Sequence, residues 1–557
     1  MTFRKADVMH SEAAMRLAIP AAVVGATLMA VTPLYGPLRA QTQQQVDACQ
    51  STSKQPPDTV IGSCTALIQS GKYAGHDLST VFVIRAIAYQ HKGDLDRAIK
   101  DYDQAIGLDP GDATAYYNRG VAYGSKGEWD RAIQSYDQAI SHHPNDAAAF
   151  RGRGLAYREK KQFDRAIQDL DQAAKLDPSD ATTFADRGSL YLRKGEFDRA
   201  IADYDQAVRL RPGDAATFFN RGAALSGKGE WNRAIGDYDQ ALKLDPKLEA
   251  AFYNRGFAFQ KLGQLDRAIQ DLDQAVALDP TDGAAFSARG SIYQRKGELD
   301  RAIEDFGRAI GINAHDATSL YNRALAYSDR KQWDAALQDF DRAIEIDPGD
   351  ASAFAYRGVV YQRKGEVDRA IQDLDRAIGL DAGLAVAFAY RGAAYSTKGD
   401  WDRALQDYNR AIEIDSHDAA TFYNRGVVHS RKQQWGDAVR DFDRAMELRP
   451  NDASAFYNRG LAHRNLGQID LALQDFSEAI RLDPDDAGAF ALRGAIYQRK
   501  GDIDHAIQDY DRALQIDPND VTTLYNRGVA KEQAGDKAGA DVDIAAARKI
   551  DPNIGKQ

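Results

Sequence analysis

The chain has 557 residues, 44% hydrophobic and 27% charged, which suits a folded protein with a large water-facing surface. A net charge of −11 excludes wholesale binding to nucleic acid or to an anionic membrane, since both need a dominant basic face. Two cysteines are too few for a disulfide scaffold, so the core must be built by packing.

Residues 1–40 read as a secretory signal peptide. Arg4, Lys5 and Arg16 precede the uncharged run 17–38, Pro33, Gly36 and Pro37 break it, and Ala40 is a small residue before Gln41. The strongly apolar part, 17–31, is short for a membrane span of about 20 residues. Leu38 is large for a position three residues before a cut, so an uncleaved signal anchor is the alternative. Either way the rest of the chain is expected outside the cytoplasm, periplasmic or secreted. Residues 41–78 are expected to form an N-terminal capping segment. In it Ile61, Cys64 and Ile68 would give a helix its apolar face, while Pro56 and Pro57 break what comes before. In an exported chain a Cys49–Cys64 disulfide is the simplest use of the two cysteines, and two buried free thiols are the alternative.

From 79 to 554 the sequence repeats every 34 residues without insertion, giving fourteen repeats, numbered 1 to 14 below. Position 4 is aromatic or leucine (Phe82, Tyr116, Phe150), position 8 is glycine or alanine, and position 11 is usually aromatic (Tyr89, Tyr123). This is one apolar stripe at helical spacing, with a notch where another helix can come close. Glycine at position 15 (Gly93, Gly127, Gly195) predicts the end of a first helix. Asp94 or Glu128 then suits the positive end of a second helix, which carries alanine at positions 20 and 27 and a large apolar residue at 24. Proline at position 32 ends it. The last repeat, 521–554, has Lys531 and Lys537 at otherwise apolar positions, as expected of a terminal cap with a polar outer face.

These positions closely resemble the tetratricopeptide repeat family: aromatic 4, Gly/Ala 8, Tyr 11, Ala 20, Phe/Tyr 24, Ala 27 and Pro 32. The resemblance implies an all-α fold, a right-handed superhelical solenoid of fourteen helix-turn-helix repeats whose first helices line a concave groove. One departure is systematic. Position 7, normally leucine in the family, is arginine in every repeat, from Arg85 to Arg527. Aspartate fills position 23 in all repeats but the second, where Ser135 stands. A partly buried Arg–Asp ladder between helices is predicted, because a lone arginine there would be costly to desolvate. Arginines facing an anionic ligand are the alternative.

A longer period of three repeats also runs through the chain. Trp129, Trp231, Trp333 and Trp435, all at position 17, are 102 residues apart, and Trp401 shares their position; core packing is the expected role. Asn118, Asn220, Asn322, Asn424 and Asn526 at position 6 keep the same spacing, and Asn254 and Asn458 join them. In the family, position 6 faces the groove, where an amide can both donate to and accept from a peptide backbone. In this the chain is similar to the superhelical repeat domain of O-GlcNAc transferase, without a catalytic domain. Beside the amides lie Tyr117, Phe219, Tyr253, Tyr321, Tyr423, Tyr457 and Tyr525 at position 5. Arg193, Lys261, Arg295, Arg363, Arg431 and Arg499 stand at position 13. A solvated groove whose composition merely follows the repeat is the plain alternative.

There is no glycine-rich phosphate loop, no nucleophile–base signature and no metal-ligand cluster at diagnostic spacing. His429 and His463 occupy the aromatic position 11. The expectation is therefore a non-catalytic scaffold or adaptor without cofactor or metal, holding a protein or peptide partner in its groove. Nucleic acid and membrane insertion of the mature chain are not expected. The second reading is a structural or assembly module of the cell envelope that acts through its outward faces.

Overall fold

The computed structural model describes residues 40–50 and 55–555; the expected signal peptide lies outside the described residues. Thirty helices and no strand occur among them. Four helices open the fold: α1 (Ala40–Gln50), α2 (Pro57–Gln69), α3 (Gly75–His91) and α4 (Leu95–Leu108). From repeat 2 on, each first helix occupies positions 1–13, as in Ala113–Ser125, and each second helix positions 17–30, as in Trp129–His142. The chain falls into two compact bodies, one ending at Ile312 and one beginning at Asn313. Within each body every helix packs on its neighbours in sequence, and most first helices also touch the next first helix. That is the packing of a solenoid.

The boundaries follow from local chemistry. Aspartate at position 34 caps the following first helix: Asp146 accepts from the backbone N–H groups of Ala148 and Ala149 at 2.9 and 3.1 Å. Each first helix ends in a left-handed residue at position 15. Gly127 has φ 75°, and Glu128 N–H donates to the Tyr123 carbonyl at 3.0 Å, closing the turn. Lys161, Lys331 and Gln433 adopt the same conformation without glycine, at φ 58 to 60°, which costs each about 1 kcal/mol.

The core lies between the two helices of a repeat and the first helix of the next. Alanines at positions 20 and 27, such as Ala98 and Ala105, are wholly buried, as is Tyr102 between them. Position 8 is small because the position-24 ring lies against it. A Cβ on Gly222 would stand 2.7 Å from Tyr238 Cε1, too close for real contact. The tryptophans are half-buried at the start of the second helices, Trp231 edge-on to Phe257 at 6.0 Å. In the last repeat Lys531 turns its ammonium onto Asp543 at 2.8 Å.

The N-terminal segment refines one sequence reading. Val60, Cys64 and Leu67 are the fully buried residues of α2, and the expected Ile61 and Ile68 pack half-buried against the same cluster. Pro56 and Pro57 open this helix instead of merely breaking the one before, Pro57 taking the first helical position where no N–H is missed. Cys49 and Cys64 form a disulfide with Cα atoms 5.0 Å apart. The pair packs among Val46, Val60, Leu67, Val81, Ile84 and Ala88.

Candidate functional site

Three sets of cations are consumed by the fold itself. The first is the position-7 arginine. Arg221 donates from Nε and Nη2 to the two carboxylate oxygens of Asp237 at 2.7 and 2.6 Å, and from Nη1 to Asp205 of the preceding repeat at 2.7 Å. Its guanidinium also lies 5.5 Å from the centre of the Phe218 ring. The bidentate pair within the repeat recurs from Arg85–Asp101 to Arg527–Asp543. Arg119, facing Ser135, takes the serine hydroxyl at 3.1 Å and leans on Asp103 at 2.7 Å. The ladder predicted from sequence is therefore present, and its second rung to the previous repeat ties neighbours together.

Burial and pairing oppose one another along this ladder. Burial pushes the carboxyls of Asp203 and Asp271 up, against the pull of Arg187 and Arg255. At Asp543 burial acts the same way, but hydrogen bonds from both Arg527 and Lys531 outweigh it and hold that carboxyl below its usual range.

The second set is the position-14 lysine, which reaches position 18 of the preceding repeat: Lys228–Asp198 at 2.6 Å, Lys296–Asp266 at 2.7 Å and Lys364–Asp334 at 2.6 Å. Where the acid is lost, at Asn232 and Gly436, the cation is lost too, replaced by Leu262 and Leu466. The third set is the position-19 arginine, which lies over the position-11 ring; Arg301 stands 4.0 Å from the centre of Tyr293. His429 and His463 fill that ring position by hydrogen-bonding Gln434 and Gln468 and facing Asp441 and Asp475 at 3.7 Å.

What remains accessible on a first helix is one face. In the helix Ala419–Arg431 it comprises Ala420, Tyr423, Asn424, Val427 and Arg431, at helical spacing. The sequence-derived residues divide on it. In the body ending at Ile312, Asn118, Asn220 and Asn254 are buried, as are Tyr117, Phe219 and Tyr253. Tyr117 packs on Tyr136 at 5.8 Å, and the Asn254 side chain hydrogen-bonds Tyr238. In the body beginning at Asn313, Asn322 is buried, but Asn424, Asn458 and Asn526 are half-exposed beside half-exposed Tyr321, Tyr423, Tyr457 and Tyr525. Asn458 donates to the Tyr423 hydroxyl at 3.0 Å, so position 6 meets position 5 of the previous repeat. Arg193, Lys261, Arg295, Arg363, Arg431 and Arg499 are all exposed.

The same contact carries a pair that the sequence reading missed. Arg151 at position 5 donates from Nε to Asp186 at position 6 of the next repeat, at 2.8 Å. Burial pushes the Asp186 carboxyl up against the attraction of Arg151. The signal was available, since only here does position 5 carry arginine while position 6 of the next repeat carries aspartate.

Asn118 stands apart. It is wholly buried, and neither amide atom has a hydrogen-bond partner among the described residues. Unmet buried donors and acceptors cost about 1–3 kcal/mol, so Asn118→Leu is expected to protect the helix Ala113–Ser125 more strongly in hydrogen exchange. Weaker protection would show that the amide is satisfied after all.

Models of tetratricopeptide repeats match 88–127, 122–181, 188–229, 227–263, 250–282, 284–316, 317–350, 340–372, 392–433, 428–495 and 496–535. The chain is a tetratricopeptide-repeat protein. No curated protein matches it. Among solved structures it is similar to YrrB, described as a repeat protein with an unusual peptide-binding site, at 25% identity, with 34% of this chain and 97% of that one covered and a TM-score of 0.32. It is also similar to the APC/C hetero-tetramer Cut9–Hcn1 at 16% identity, covering 88% and 96% with a TM-score of 0.39. MamA is 29% identical over 29% of this chain and 94% of that one, with a TM-score of 0.28. Tetratricopeptide-repeat proteins are interaction scaffolds for proteins and peptides, and the family is typically non-catalytic. Among the described residues no helix is long and apolar enough to cross a membrane, and no group of three or more His, Cys, Asp or Glu could hold a metal ion.

Proposed function

We propose that this tetratricopeptide-repeat protein is an exported, non-catalytic scaffold that holds an extended peptide against its first helices. One observation carries the reading. In the body beginning at Asn313, positions 2, 5, 6 and 9 of the first helices bear no charge in any repeat, and they supply half-exposed tyrosines and amides. Such a surface gives up little solvation when covered, while the amides of Asn424 and Asn526 and the side-chain oxygen of Asn458 can bond a backbone whatever its sequence. In the other body the contributing residues are chiefly the position-13 cations Arg193, Lys261 and Arg295. Export is supported by the Cys49–Cys64 disulfide, a bond that persists in oxidising compartments.

The test replaces Tyr423, Asn424 and Asn458 together by alanine. Proteins captured from an extracytoplasmic extract are then compared with those held by the unaltered chain, by quantitative mass spectrometry. The expected result is a loss of about tenfold in the specific captures, as removal of hot-spot aromatics gives. Unchanged capture, with the fold intact by circular dichroism, would transfer the function to the outward faces and to an envelope assembly role.

A further inference from the structure

The first-helix face in the body beginning at Asn313 is not only uncharged along its floor; its border is cationic. Arg363, Arg431 and Arg499 at position 13 and Arg464 at position 12 have no acidic partner among the described residues. This is unlike the surrounding cations. In the same repeats Lys364, Lys398, Lys432 and Lys500 each hold an aspartate of the previous repeat, and Arg357, Arg391, Arg425, Arg459 and Arg493 are locked into the ladder. From repeat 9 to repeat 13, positions 2, 5, 6, 9 and 13 contain no carboxylate at all, in a chain of net charge −11. The acids that bear on the tyrosines are the capping aspartates: Asp418 acts on Tyr390, Asp452 on Tyr423 and Asp486 on Tyr457. Each is already engaged by N–H groups at the start of its own helix, at 3.1 to 3.2 Å. Two of the arginines bear electrostatically on these rings, Arg363 on Tyr390 and Arg464 on Tyr457.

We propose that this face takes an acidic, extended segment of a partner protein, whose side-chain carboxylates are read by Arg363, Arg431, Arg464 and Arg499 while Tyr423 and Tyr457 take the residues between. The inference rests on the peptide-holding reading above and gives the partner its chemistry. The four arginines come from four different repeats, so one terminal carboxylate cannot satisfy them; the charge must be spread along the segment. Arginine suits the task because its planar fork pairs with a carboxylate in two parallel hydrogen bonds. A polynucleotide also spreads negative charge, but it carries one on every nucleotide, more than four arginines drawn from four repeats can neutralise, whereas a segment that intersperses acids with uncharged residues matches their number.

The experiment uses the full chain and three 16-residue peptides, acetylated and amidated, alternating threonine with glutamate, glutamine or lysine. Binding is read by fluorescence anisotropy at 50 mM and 300 mM salt. The glutamate peptide is expected to bind about tenfold or more tightly than the glutamine peptide at low salt, with the advantage shrinking at high salt. The variant R363Q/R431Q/R464Q/R499Q is expected to abolish that advantage. R425Q, which removes a ladder arginine, is expected to keep it. A glutamine peptide that binds as tightly as the glutamate peptide would overturn the acidic partner and leave the peptide-holding reading standing. If none of the three peptides binds, both fall. A quadruple variant that still prefers glutamate, or a 16-nucleotide single strand that binds more tightly than the glutamate peptide, would also overturn the inference.

Discussion

Replacing Asp237 by alanine is expected to cost about 3 kcal/mol of local stability, the scale on which breaking a buried ion pair is felt. The carboxylate is nearly inaccessible, at 6% exposure, and it accepts both the Nε and the Nη2 hydrogen bonds of Arg221. Its removal leaves the Nε and Nη2 donors without their acceptor, with only the Asp205 bond through Nη1 remaining. The protein supplies its own control. In repeat 2 the same site is Ser135, whose hydroxyl accepts from Arg119 at 3.1 Å. Asp237→Ser is therefore expected to cost less than Asp237→Ala. A long solenoid does not unfold in two states, so the loss must be read locally, as faster hydrogen exchange in the helices Ala215–Gly227 and Trp231–Leu244. Exchange unchanged in both helices would reduce the ladder to a surface ornament.

The ladder's net worth is a separate matter from the cost of breaking it. Burying a charged pair costs desolvation on both sides, and burial does raise the carboxyls of Asp203 and Asp271 despite their arginines. Arg221→Met combined with Asp237→Leu is therefore expected to recover most of the loss seen with Asp237→Ala. What that double variant would give up is the bond to Asp205, which fixes repeat 5 against repeat 4. A family that ordinarily places leucine at position 7 shows that packing alone can hold such repeats; this chain adds a polar register mark at each junction.

The fold was legible because the same spacing is written fourteen times and noise does not survive that repetition. Arg221–Asp237 was legible for the same reason. Its second partner, Asp205, was not, because it lies one repeat back on a helix face that the pattern alone does not orient. The amides were the least legible. Asn118 and Asn424 share a repeat position and the sequence Tyr-Asn-Arg-Gly, yet one is wholly buried and the other half-exposed. Accessibility at position 6 is set by how neighbouring repeats close over it, which depends on many small side chains at once. The position-13 cations, at the ends of first helices and past the packed stripe, are exposed.

Loss of the Cys49–Cys64 bond is the second large effect expected, and its size follows from where it lies. The bond closes a loop of 15 residues, which in the chain-entropy model contributes about 3 kcal/mol. Among the described residues no repeat packs on the far side of this segment, so α1 and α2 depend on this bond and on the small cluster around Val46, Val60 and Leu67. α2 in turn stands in for a preceding repeat: Thr65 accepts from Nη1 of Arg85, where most later arginines find an aspartate. In the double variant Cys49→Ser with Cys64→Ser, which leaves no free thiol, α1 and α2 are expected to exchange and be cleaved by protease first. Val81, Ile84 and Ala88 on α3 would then lose their cover. Because each repeat is supported only by its neighbours, protection should return within the next repeat or two and be unchanged beyond them. If protection fell evenly along the body ending at Ile312, the cap would be shown to govern the cooperativity of the whole array and not its end alone.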